Sequence, residues 1–171
     1  MNIVLEGPDG SGKSTLARVI LQHVPALAYT PGEGPPKYPG EMSERVERYL
    51  RLNNCLFDRH PCVSQLIYDQ FRTNGEGVLQ SLVDRFYASK PLFIYCYGRA
   101  GEHVADHSHA DTPEHLAMIE KYDDNIRNAY HEWAQAHVPP HLWYSVEGGE
   151  LKAVTSTTII NAIKEGLSHA Q

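Results

Sequence analysis

GPDGSGKST, residues 7–15, lies between an apolar run, NIVLE at 2–6, and an amphipathic one, KSTLARVILQHV at 13–24. Gly7 and Gly12 bracket four residues, and Lys13 and Ser14 follow, which completes the pattern G-x-x-x-x-G-K-[ST]. Glycines at these places let the backbone curl until successive N–H groups converge on one anion. The positive end of the following helix adds to the attraction. The stretch Gly7, Asp9, Gly10, Ser11, Gly12, Lys13, Ser14 and Thr15 therefore reads as a phosphate cradle. Lys13 is placed to reach β- and γ-phosphates, and the Ser14 hydroxyl to ligate Mg²⁺. ATP and Mg²⁺ are the cofactors this implies.

The flanks fit that reading. NIVLE has the make-up of a buried strand. Leu16, Val19, Ile20 and Val24 recur at helical spacing until Pro25 ends the helix. Further along, ALAYT (26–30) is a strand candidate, and PGEGPPKYPGE (31–41) is too rich in Pro and Gly for regular structure. EMSERVERYLRL (41–52) is an amphipathic helix, and NNCLFDRH (53–60) a strand, with Pro61 opening the next helix. EGVLQSLVDRFYAS (76–89) reads as a helix and PLFIYCYGR (91–99) as a strand dense in aromatic and β-branched residues. A long helix at 113–137, a strand HLWYSV (141–146) and a closing helix at 151–167 complete the chain. Strands alternating with helices imply crossover connections, and so an α/β fold: a mainly parallel sheet with helices on both faces. No linker or repeat divides the 171 residues, which reads as one domain.

Composition narrows the function classes. Hydrophobic residues make up 42% and charged ones 21%, as in ordinary globular proteins. A net charge of -6 argues against a general polyanion binder. Cys55, Cys62 and Cys96 have no metal-type spacing and read as reduced thiols. No apolar run approaches the roughly 20 residues of a membrane span, so the expectation is a cytoplasmic protein with no membrane partner.

CLFDRH (55–60) is an apolar strand ending in an acid, the usual place for a residue that faces a nucleotide across a parallel sheet. Asp58 can contact Mg²⁺ or accept the proton of an attacking hydroxyl. Arg59 can clamp an acceptor phosphate with its planar fork. GPDGSGKST, followed by DRH and then SQLIY (64–68), resembles the thymidylate kinase family and its deoxynucleoside kinase relatives. Small kinases of this look are common in phage genomes. The resemblance implies a P-loop NTPase fold with about five parallel strands and a lid loop, here over approximately 99–113. It implies an ATP- and Mg²⁺-dependent phosphotransferase, a nucleotide or nucleoside acceptor, host cytoplasm if phage-encoded and, by analogy, a homodimer. Carried over by position, Lys13 and Ser14 take the phosphate and metal roles, and Asp58 and Arg59 the base-or-metal and acceptor-phosphate roles.

The chain departs from that family where the acceptor is held. Instead of an R-E-P-G-G segment it has YTPGEGPPK (29–37), with Glu33 and no arginine, which leaves Lys37 as the substitute. The lid stretch carries Arg99 beside His103, His107, His109 and His115. Arg99 is the candidate for offsetting charge on the transferring phosphoryl group, and Asp9 places further demand on Arg59 and Arg99. The histidines have no closed tetrahedral zinc spacing. Gln65, Tyr68, Phe71 and Arg72 follow DRH at helical spacings and are the acceptor-pocket candidates, Gln65 for a base edge and the aromatics for stacking. Arg127 and Tyr130 either approach the nucleotide or face solvent.

Three functions are consistent with these residues. The first is a (deoxy)nucleoside monophosphate kinase of thymidylate kinase type. The second is a kinase of a hydroxymethylated pyrimidine, free or in phage DNA, although the acidic charge counts against a long DNA substrate. The third is a nucleotide-dependent switch, against which stands the absence of any N-K-x-D motif.

Overall fold

The computed structural model describes residues 1–72, 77–97, 113–147, 150–151 and 153–168. Among the described residues six strands form the sheet: β1 (Ile3–Glu6), β2 (Ala28–Thr30), β3 (Cys55–Asp58), β4 (Leu92–Tyr97), β5 (Trp143–Glu147) and β6 (Glu150–Leu151). Their order is β2-β3-β1-β4-β5-β6. The first five run parallel, in register Leu5 to Asp58 between β1 and β3 and Glu6 to Tyr95 between β1 and β4. The two-residue β6 turns back antiparallel on β5, an addition to the expected five.

Parallel strands covered on both faces need apolar residues throughout rather than alternation. Accordingly Ile3, Val4, Leu5, Leu56, Phe57 and Ile94 are all at most 1% exposed. Helices cover both faces. On one, α1 (Lys13–His23) packs against α6 (Ala153–Ser168). On the other, α3 (Pro61–Tyr68) touches α2 (Glu41–Tyr49), α4 (Gln80–Ala88) and α5 (Pro113–His137), and α5 lies on β4. The helix expected from residue 76 begins later, at Gln80. The long helix α5 is interrupted at Tyr122, where φ is -118° and ψ 17°.

The connection from β3 to β4 crosses β1, so the chain leaves the sheet in opposite directions on either side of that strand. Ligands of open parallel sheets bind at such a switch point, beyond the carboxyl ends of the strands. Here that point carries the glycine loop after β1 and the Asp58-Arg59 turn after β3. All three cysteines are free and buried, and among the described residues no helix is long and apolar enough to cross a membrane.

Candidate active site

The glycine loop has the backbone that the spacing predicts. Gly10 and Gly12 have φ of 70° and 82°, the left-handed region that side chains disfavour, and Gly12 is the N-cap of α1. Gly7, at φ 151°, is required for a second reason: a Cβ there would lie 1.9 Å from the carbonyl oxygen of Cys96 on β4. Lys13 folds back over the loop and donates to the carbonyls of Gly7 (3.0 Å) and Pro8 (2.6 Å) and to Ser11 Oγ (3.3 Å). Burial, with the neighbouring Arg59 charge, pushes the Lys13 ammonium down to about 8.

Ser14, in the first turn of α1, donates through Oγ to Asp58 Oδ2 at 2.8 Å. The Tyr29 hydroxyl on β2 donates to the same oxygen at 3.2 Å. A hydroxyl that gives its proton to a carboxylate keeps its lone pairs for a cation. Two hard oxygens are what magnesium takes from protein when phosphates and water complete its shell. Among the described residues, no group of three or more His, Cys, Asp and Glu is placed to hold a metal ion.

Arg59 follows at φ 72°. Its amide donates to the Leu5 carbonyl at 2.9 Å, and the next amide, of His60, donates to the Glu6 carboxyl at 2.7 Å, so the turn is tied to β1 twice. Its Nη2 donates to Asp9 Oδ1 (2.6 Å), Tyr68 OH (2.9 Å) and the Gly7 carbonyl (3.3 Å). Tyr68 in turn donates to Asp9 Oδ2 at 2.7 Å. Burial would raise the Asp9 carboxyl, but the Arg59 and Lys13 charges outweigh it and hold the group well below the usual carboxylate range. The charge of Arg59, expected to clamp an acceptor phosphate, is thus balanced by Asp9 of the glycine loop.

The remaining acceptor candidates separate. Gln65 and Arg72 join one polar cluster: Gln65 donates to Asp69 at 2.6 Å and accepts from Arg72 at 3.2 Å. The Arg72 guanidinium lies 5.4 Å from the Tyr68 ring centre. Gln65, Tyr68, Arg72 and Lys37 line the same cleft as the loop, a space of about 1670 Å³. Phe71 does not line it; its ring packs 5.5 Å from Tyr122 against the core. Tyr130 is fully buried, 6.1 Å from the Tyr68 ring, so it supports the site from beneath. Arg99 and the lid stretch through residue 112 lie outside the described residues.

Sequence reasoning missed a network on the far wall. Arg45 of α2, 4% exposed, donates to the carbonyls of Glu33 and Gly34 (2.8 Å to the latter) and to the Glu41 carboxylate. Glu33 also accepts from Arg48 and from the Tyr49 hydroxyl. Burial would raise the Glu33 carboxyl, and these donors together lower it. The loop they anchor passes directly over the strand end, since a Cβ on Gly32 would sit 3.0 Å from the Asp58 carbonyl oxygen.

No protein-family model matches the chain, and no curated protein sequence does. Solved structures do. The YorR protein from Bacillus subtilis, in complex with phosphorylated GDP, is 21% identical with a TM-score of 0.65, over 100% of this chain and 99% of that one. Deoxyadenosine kinase from M. mycoides with dCMP and dCDP is 21% identical with a TM-score of 0.53, over 100% of both chains. The same kinase with dATP is 18% identical with a TM-score of 0.55, over 96% of this chain and 100% of its own. At such identities the likeness is one of fold alone, and it defines the class: the α/β fold of a P-loop NTPase, with the glycine loop after β1.

Proposed function

We propose that the chain is an ATP- and Mg²⁺-dependent kinase of a nucleoside or nucleoside monophosphate. The observation that carries this is the hydrogen bond from Ser14 to Asp58. It joins the glycine loop to the end of β3 in a cleft of about 1670 Å³ that both segments line. The solved structures of similar fold support it, because their bound molecules are nucleotides.

In this reading the loop amides and Lys13 hold the triphosphate, with Lys13 exchanging its own loop carbonyls for phosphate oxygens. Magnesium, held by Ser14 and Asp58, supplies neutralisation of charge on the triphosphate. Arg59 fixes Asp9 and Tyr68 at the base of the acceptor side. The acceptor we favour is a nucleoside hydroxyl. On that wall Arg45 is bound to Glu33 and Glu41, and Arg59 to Asp9, so the charge that a monophosphate dianion needs is balanced by protein carboxylates. A hydroxyl acceptor instead needs a carboxylate to take its proton, and Asp58 lines the cleft while accepting Ser14 and Tyr29 through one oxygen, Oδ2. The monophosphate acceptor of a thymidylate kinase is the second reading, favoured by exposed Lys37 at the cleft wall.

The test is a coupled ADP-release screen with γ-labelled ATP over nucleosides, nucleoside monophosphates and DNA containing hydroxymethylated pyrimidine. The expected result is label on a free nucleoside or monophosphate, reduced by about 10²–10³-fold in kcat by Lys13→Ala, the scale of losing one charge-stabilising donor. Label on DNA would move the acceptor to the modified-base reading. No acceptor raising ATP consumption would overturn the kinase assignment in favour of a switch.

A further inference from the structure

We propose that Tyr29 is a positioning residue for the divalent cation, a role that rests on the metal-nucleotide reading of Ser14 and Asp58. Two hydroxyls on different elements converge on one atom. Ser14 Oγ from α1 and Tyr29 OH from β2 both donate to Asp58 Oδ2, at 2.8 and 3.2 Å. Asp58 ends β3, which pairs in parallel with β2 so that Thr30 lies opposite Phe57, one residue before the carboxylate. The Tyr29 ring lines the cleft wall beside the loop, 41% exposed.

The geometry gives each hydroxyl a distinct task. Ser14 belongs to the helix that carries the phosphate loop, and its oxygen retains lone pairs for a cation. Tyr29 is on an edge strand, its hydroxyl bonds the carboxylate alone among the described residues, and it restricts how that carboxylate turns about its last bond. Without the phenol, Asp58 is oriented by Ser14 alone, and Ser14 is the group whose oxygen the cation also draws on. Groups that hydrogen-bond a ligand from outside fix its orientation, and their loss typically costs metal affinity about tenfold or more. A phenyl ring at 29 keeps the wall and removes the bond, so Tyr29→Phe isolates the hydroxyl.

The experiment measures Mn²⁺ binding by electron paramagnetic resonance in the presence of a non-hydrolysable ATP analogue. In parallel, the analogue's own affinity is measured in EDTA and the melting temperature recorded. Tyr29→Phe is expected to weaken Mn²⁺ binding about tenfold while analogue affinity in EDTA and the melting temperature stay as in the unsubstituted protein. Unchanged Mn²⁺ affinity in the variant would overturn the proposal, as would an equal loss of analogue affinity in EDTA. Ordinary Mn²⁺ affinity with a raised acceptor KM would overturn it in favour of a hydroxyl that touches the acceptor. Should the unsubstituted protein bind no Mn²⁺ with the analogue, the metal-nucleotide reading itself fails, a result separate from the variant's.

Discussion

Glu6 ends β1 with no exposed surface, one residue before the glycine loop. One carboxyl oxygen accepts the His60 amide, and the other has no hydrogen-bond partner among the described residues. Burial pushes the group up to about 8 from an ordinary value of 4.5, so at neutral pH it is protonated. The unfolded chain releases this proton near 4.5 and the folded chain near 8. Between those values the folded state binds one more proton, and stability from this group falls as pH rises, by up to about 1.4 kcal/mol per pH unit. Glu6→Gln keeps a carbonyl for His60 and removes the titration. Urea unfolding of the two proteins from pH 5 to 8.5 is expected to give nearly equal stability at the acid end and a growing advantage for glutamine towards pH 8. Parallel curves would sink the assignment. Buried His60, pushed down to about 3 and stacked 3.9 Å from Phe86, adds the opposite slope below its ordinary value of 6.5. Glu6→Gln does not alter that slope.

At the scale of elements, α2 and the 31–40 loop act as one piece through Arg45. Its Nη1 donates to loop carbonyls and its Nη2 to Glu41 one turn before it. Arg45 is buried but its carboxylate partners reach solvent, so its loss costs about 1.5–3 kcal/mol, the scale of hydrogen bonds to a charged group. Arg45→Leu is expected to lose stability on that scale, to open the loop to proteolysis, and to raise acceptor KM while triphosphate affinity holds. Triphosphate affinity falling in step with acceptor KM would refute a role confined to this wall. The glycine loop, β1 and the Asp58 strand end were legible in the sequence because their residue types follow from local backbone needs: φ above zero, a helix N-terminus, strands buried on both faces. Arg45 was not, because EMSERVERYLRL has the same pattern whether Arg45 faces water or a folded-back loop. Tyr29 was hidden likewise, as its partner is 29 residues away, and Phe71 looked like a stacking ring until Tyr122 of α5 covered it.

For the whole molecule, the -6 net charge makes it costly to bring a polyanionic triphosphate into the cleft, and Lys13 is the buried cation at the loop. Free of ligand, it titrates at about 8 rather than 10.5, because burial and Arg59 disfavour its charge. Phosphate oxygens favour the charged form, so a bound triphosphate raises this value again. Below about pH 8 the ammonium is already present and binding is insensitive to its titration. Above that, binding must first take up a proton, and affinity falls with a limiting slope of tenfold per pH unit. A ligand that binds the folded state stabilises it in proportion to the logarithm of its concentration over Kd. The rise in melting temperature produced by a fixed concentration of non-hydrolysable ATP analogue is therefore expected to stay level from pH 7 to 8 and to shrink from 8 to 9.5. Lys13→Arg, which stays charged throughout, removes the break if it binds the analogue at all. Proton uptake measured by calorimetry in buffers of different ionisation enthalpy gives the same quantity directly: near zero at pH 7, approaching one proton per nucleotide by pH 9. A level shift through pH 9.5, with no proton taken up, would mean that the lysine keeps its charge in the empty loop, and that the Gly7 and Pro8 carbonyls hold it there more firmly than burial and Arg59 oppose it.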